Sequence, residues 1–281
     1  MKDQVCVITG ATDGIGKAAA YDLAPQGATL LLHGRDPDKG ARLVEDLKAH
    51  TGNPAIQFLQ ADFSSLAEVR RLAAAVMERV PRVDVLVNNA GGVFAKRMVS
   101  KDGYEMTLAV NHLAPFLLTQ LLVTTLKNSA PSRIVTTSSH AHKGARIPFD
   151  DLQATHKYSA MGAYGTSKLA NILFTRVLAK RLQGTTVTAT CFHPGFVRTS
   201  FGRGFDANPI AKHVFRWASR FARTPEKGAE TLVYLATSAD VAGASGGYYF
   251  DCKLATPSVA AQDDAAAERL WQLSEQLVGE P

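Results

Sequence analysis

Only three cysteines occur in the 281 residues, Cys6, Cys191 and Cys252. They are too few and too widely spaced for a disulfide framework or a zinc ribbon. Cys6 and Cys191 sit in apolar, strand-like runs where a free thiol acts as a small hydrophobe, so a reducing compartment, the cytoplasm, is expected. No run of about 18 apolar residues stands out, which argues against integral membrane insertion. The first apolar run, Val5 to Ile8, comes too early to leave room for a signal peptide. His140, His142 and His156 lack a matched ligand set at metal-site spacing, so no metal is assigned. The string G-x-S-x-G occurs at Gly243 to Gly247, leading into a strand-like run rather than from a strand into a helix, so it makes no nucleophile elbow and gives hydrolysis no support. Basic residues exceed acidic ones by 31 − 25 = 6, but they are scattered and form no recognised module, so no nucleic-acid partner is expected. Internal repeats and low-complexity tracts are missing too.

What remains is ordinary for a globular enzyme: 46% hydrophobic and 20% charged residues, in a length that buries one core without a second domain. The whole span 1–281 is taken as one domain. Strand-like runs at Val5–Ile8, Thr29–His33, Ile56–Gln60, Val83–Val87, Arg133–Thr137, Val187–Phe192 and Gly246–Phe250 alternate, at first strictly, with periodic stretches. These predict helices at Gly16–Leu23, Pro37–Thr51, Leu66–Val80, Met106–Leu126, Ala163–Leu182, Pro225–Thr237 and Ala261–Leu277. Repeated strand–helix units of this size imply an α/β, doubly wound Rossmann-type domain, with a mainly parallel seven-stranded sheet and helices on both faces. The alternation breaks after Pro194, and 196–224 reads as a substrate loop or lid. There Phe201, Phe205, Phe215, Trp217 and Phe221 offer an apolar entrance or a satellite core, interleaved with Arg203, Arg216, Arg220 and Arg223.

Directly after the first strand stand Gly10, Thr12, Asp13, Gly14, Ile15 and Gly16. The glycines permit a tight turn and a close backbone approach to phosphate, and the following helix directs its free N–H groups at the anion. His33-Gly34-Arg35-Asp36 closes the second strand. Arg35 suits a 2′-phosphate and so favours NADP over NAD; Asp36, which would face a ribose diol, is the counterweight. Asp62, followed by Phe63, is placed to accept from an adenine amino group or to cap the turn at Ser64 and Ser65. Asn88-Asn89-Ala90-Gly91 lets the backbone pass beneath a ribose, or is simply a good turn.

Tyr164 and Lys168 lie four apart on one helical face. A phenol titrates near 10, and a neighbouring ammonium stabilises its anion, drawing the pKa down toward use as an acid–base group. Ser139, at the carboxyl edge of the fifth strand, is placed to hold a substrate oxygen, whereas Ser138 points to the other side. In the long helix, Pro115 cannot donate to the Asn111 carbonyl, which is freed for a water in a proton relay through Lys168. Pro194, Gly195, Val197 and Thr199 follow the sixth strand as candidate contacts to the nicotinamide end, with His193 bracing the loop.

Together the glycine turn, Asn88 to Gly91, Asn111, Ser139, Tyr164, Lys168 and His193-Pro194-Gly195 resemble the short-chain dehydrogenase/reductase family over nearly the full chain. Asn111 to Phe116, Ser167 to Asn171 and Tyr249 to Cys252 are similar to its retinol dehydrogenase and WW-domain oxidoreductase-like branch. The resemblance implies a Ser-Tyr-Lys set assisted by Asn, transfer of the pro-S hydride, NADP(H) as cofactor, a small-molecule carbonyl or alcohol substrate, and a homodimer or homotetramer. Two departures stand out: no N-terminal hydrophobic anchor, and Asp13 where NADP-preferring relatives often carry a basic residue. The alternatives are an NAD-dependent dehydrogenase and a non-catalytic cofactor-binding interaction protein.

Overall fold

The computed structural model describes residues 1–197 and 222–280. Its strands are β1 (Val5–Ile8), β2 (Thr29–Gly34), β3 (Ile56–Gln60), β4 (Val85–Asn88), β5 (Ser132–Thr137), β6 (Val187–Phe192), β7 (Tyr248–Phe250) and β8 (Lys253–Leu254). They form one sheet in the order β3-β2-β1-β4-β5-β6-β7-β8. All neighbours are parallel except β7 and β8. The sequence reading predicts seven strands; the eighth is a two-residue return across a turn in which Asp251 and Cys252 take φ of 48° and 59°. Lys253 and Leu254 are both exposed, so no hydrophobic alternation announces them.

The main helices are α1 (Gly14–Leu23), α2 (Pro37–Thr51), α3 (Leu66–Arg79), α4 (Met106–Asn128), α5 (Ala160–Arg181), α6 (Pro225–Thr237) and α7 (Asp264–Val278). Side chains alternate across each strand, so β1 feeds two cores. Val5 and Val7 pack with residues of α3, α4, α5 and α7, whereas Cys6 and Ile8 pack with α1, α2 and α6. That two-sided burial explains why the central strands read as continuous apolar runs.

Two expectations about α4 change. It passes the length and hydropathy test for a membrane span, yet 72% of that window is buried inside the protein, where it serves as a core helix. It is also not uniformly α-helical. Ala109–Leu113 forms a π-helical turn in which the Ala114 N–H bonds to the Ala109 carbonyl. Pro115, at the start of the following helix, brings no N–H of its own.

Two histidines sit in the interior with their rings held neutral. His33 bridges the Gly10 amide (3.3 Å) and the Ala61 carbonyl (3.1 Å), and stacks on Phe63. His112 joins Ser274 (2.9 Å) to Asn171 (3.4 Å). Burial is the main force lowering both from 6.5 to about 4. Unfolded imidazoles bind protons below about 6.5 while these do not, so folding stability is complete above that pH and declines as pH falls toward 4. The thermal midpoint is expected to drop steadily between pH 6.5 and 4, and His112→Gln should flatten that slope. An unchanged slope in the variant would show that other groups govern it.

Candidate active site

The strand order reverses between β1 and β4, and in open parallel sheets ligands bind outside the carboxyl ends of the strands at such a switch point. A cavity of about 2010 Å³ opens there. Its walls include Gly10, Thr12, Asp13, Gly14, Ile15, Arg35, Asp36, Asp62, Phe63, Asn89, Ala90 and Gly91 at one end. Ser139, Tyr164, Lys168, Pro194, Gly195 and Val197 line the other.

The glycine turn is built by exclusion. Gly10 has φ of +65°, and a Cβ there would come within 2.8 Å of the Ala90 Cα. A Cβ on Gly16 would overlap the Gly10 carbonyl oxygen and fall 2.5 Å from the Asn89 amide nitrogen. Gly16 therefore sets how closely α1 approaches the sheet and stands one layer behind the cavity wall. Asn89 ties the turn to β4 by donating to the Thr9 and Gly10 carbonyls at 2.9 and 3.2 Å. His33, which the sequence reading left without a role, accepts from the Gly10 amide below. A polar side chain closing an otherwise apolar strand was the available signal.

Beyond the turn, Arg35 carries no acidic partner among the described residues. Asp36 is committed elsewhere: it caps α2, accepting from the Asp38 and Lys39 amides at 3.1 Å each. Lys39, in the first turn of α2, lines the same cavity as Arg35 and adds a second cation absent from the motif reading. Asp13 caps α1 by accepting from the Gly14 amide at 2.7 Å. Asp62 accepts from the Ser64 amide (3.0 Å) and hydroxyl (2.7 Å) and pairs with Lys101 at 3.3 Å. Burial penalises its charge, but these hydrogen bonds and the lysine outweigh that and hold it below the usual carboxylate range. A closed turn, an exposed helix N-terminus and two cations with no acidic partner among the described residues fit a phosphorylated dinucleotide in residue type and placement.

At the other end the Ser139 hydroxyl hydrogen-bonds the Tyr164 phenol, and accepts from the Ala141 amide at 3.2 Å. Ser138 turns away, donating to the Lys168 carbonyl at 2.8 Å. The Lys168 Nζ lies 5.7 Å from the Tyr164 ring centre and donates to the Thr137 carbonyl at 3.1 Å. Asn171, also unassigned in the sequence reading, donates to that same carbonyl at 3.2 Å. Asn111 stands behind the wall rather than in it. Its amide receives the Gly92 N–H at 2.8 Å and donates to the Gly92 carbonyl (2.9 Å) and the Ser167 hydroxyl (3.0 Å). Only Gly91 separates it from Lys168, since a Cβ there would lie 3.1 Å from the Asn111 Oδ1 and 3.3 Å from the lysine Nζ.

The electrostatics differ from expectation in one respect. Burial pushes the Tyr164 phenol up to about 12, only partly opposed by Ser139, and lowers Lys168 to about 8. The ammonium does not draw the phenol down here, because desolvation dominates both groups. At neutral pH the site holds a phenol with its proton and a lysine with its charge. That is the state a proton donor needs.

His193 braces its loop, accepting from the Gly195 amide at 3.2 Å. Its ring stacks on Phe250, and the Arg223 guanidinium lies 4.8 Å from the centre of that phenyl ring while pairing with Asp251. Thr199 and the candidate entrance residues Phe201, Arg203, Phe205, Phe215, Arg216, Trp217, Arg220 and Phe221 lie outside the described residues.

The model of the short chain dehydrogenase family matches residues 4–209. The chain belongs to that family. Human retinol dehydrogenase 14 is 41% identical over 293 residues, covering 99% of this chain and 87% of the relative. A Streptomyces protein named as a candidate daunorubicin C-13 ketoreductase is 45% identical over 275 residues, covering 98% and 92%. Among solved structures, the Pseudomonas aeruginosa RhlG–NADP complex superposes with a TM-score of 0.70 at 29% identity, covering 88% of this chain and 94% of that one. This family member is an oxidoreductase of the retinol-dehydrogenase-like branch, with the fold and motif order of its relatives.

Proposed function

We propose that the protein is an NADP(H)-dependent oxidoreductase interconverting a small or medium lipophilic carbonyl compound and its alcohol, with Tyr164 as the proton donor. The observation that carries this reading is the Ser139–Tyr164 hydrogen bond, beside the buried Lys168, in the same cavity as the glycine turn. When bound, the nicotinamide supplies or accepts the hydride. Ser139 orients the substrate oxygen, Tyr164 delivers its proton to that oxygen, and Lys168 supplies positive charge that stabilises the phenolate left behind. Oxidation reverses the proton movement. Val93, Phe94, Met161 and Phe196 give the reacting end an apolar wall suited to a lipophilic substrate. The names of both curated relatives denote carbonyl–alcohol chemistry, and the RhlG structure holds NADP. The reading treats 1–281 as one catalytic domain, in a reducing cytoplasm that keeps Cys6 and Cys191 as free buried thiols, and assembled as a homodimer or homotetramer.

Cofactor choice is assigned to Arg35, with Lys39 in support. Arg35→Ala is expected to cut the preference for NADPH over NADH about 10- to 100-fold, the worth of a charge-assisted phosphate contact. Fluorescence titration of both reduced cofactors measures this without turnover. Equal weakening of NADPH and NADH would place Arg35 away from the 2′-phosphate.

A further inference from the structure

The brace that His193 forms has a chemical consequence. Its Nδ1 accepts the Gly195 N–H at 3.2 Å, and a neutral imidazole carries only one proton. That proton therefore sits on Nε2. Burial, reinforced by the nearby His140, His142, Lys143 and Arg223, lowers the ring to about 4, so it is neutral at physiological pH. The ring cannot turn freely, because it is packed between Phe250 (4.1 Å, 7°) and Tyr248 (5.6 Å, 23°). His193 is 6% exposed and lines the cavity. Its Nε2–H has no acceptor among the described residues.

His140 stands beside it, edge-on at 5.6 Å, directly after Ser139 in the chain and in the same cavity wall. Its ring nitrogens also have no hydrogen-bond partner among the described residues. Lys143 lines this wall as well, with no carboxylate paired to it there. The acids in the cavity wall, Asp13, Asp36, Asp62 and Glu68, follow β1, β2 and β3 or sit on α3, at the dinucleotide end. The β5–β6–β7 end thus offers fixed donors and positive charge with no acid of its own among the described wall residues.

We propose that His193 and His140 form a second oxygen-recognising subsite beside the reacting carbonyl, selecting substrates with another acceptor oxygen nearby: a dicarbonyl, a hydroxyketone or a quinone. This rests on the carbonyl–alcohol reading of the site and narrows its substrate class. A site built to hydrogen-bond a substrate group discriminates against an analogue lacking it, because the buried His193 donor is then left unpaired, and the exposed His140 adds a second donor to the same oxygen.

The test compares cyclohexanone with its vicinal dione, using the full chain and NADPH. The dione is intrinsically more electrophilic, but that advantage is common to every variant, so the informative quantity is the ratio of the two kcat/KM values relative to the parent. The His140 side chain is exposed and makes no hydrogen bond among the described residues, so its replacement leaves the fold intact, which a thermal melt verifies. His140→Leu is expected to lower the ratio about 10-fold, one hydrogen bond's worth. His140→Gln, which restores a donor, should recover most of it. A ratio within about twofold of the parent in the Leu variant overturns the subsite while cyclohexanone turnover keeps the oxidoreductase reading intact. A parent that reduces neither ketone overturns both.

Discussion

Tyr164→Phe is expected to lower kcat about 10²- to 10⁴-fold, the usual contribution of a positioned proton donor, while NADPH affinity stays near that of the parent. The change removes one oxygen and its proton from a ring that is 8% exposed. The hydrogen bond with Ser139 is lost, but the serine still accepts from the Ala141 amide and remains in place. Because burial holds the phenol up near 12, the parent keeps its proton across the working range, which suits carbonyl reduction. Alcohol oxidation needs the phenolate and should therefore accelerate with rising pH in the parent. Near-parent reduction by the Phe variant would remove Tyr164 from the chemistry, whatever else binds in the cavity.

Lys168→Met should be nearly as damaging, with a distinct signature in pH. Burial lowers the lysine to about 8, so its charge is present below that value and lost above it. The pH dependence of kcat/KM reports groups of the free enzyme, and reduction by the parent is expected to decline as pH rises through about 8. Removing a fixed charge aimed at the reacting group typically costs about 10²- to 10³-fold, and the Met variant should show that loss with the inflection gone. The unbranched thioether fills the space of the lysine stem, so the neighbouring packing is spared. An inflection that persists in the variant would assign it to another group.

Both side chains were readable from the chain as written, because helical spacing alone puts residues four apart on one face. The glycine turn was readable for a similar local reason: it directly follows a strand and opens a helix. Asp36 and Asp62 were not. Each carries an acidic side chain at a strand end, where capping a turn and meeting a ligand demand the same residue type; only the amides around them show that both serve their own backbone. His33 was missed because its partners, Gly10 and Ala61, come from two other segments. The lowered charge of Lys168 and the raised phenol of Tyr164 were equally invisible, since desolvation belongs to the assembled core.

Local spacing and apolar period, which act within a few residues along the chain, determined the strand–helix alternation, the phosphate-type turn and the Tyr–Lys pair. The tertiary structure decided the burial that sets protonation, the layer in which Asn111 and Gly16 stand, and the pairing of two imidazoles from different strand ends. Those depend on the distance between segments far apart in sequence, which packing of the two cores against the sheet fixes and no local pattern encodes.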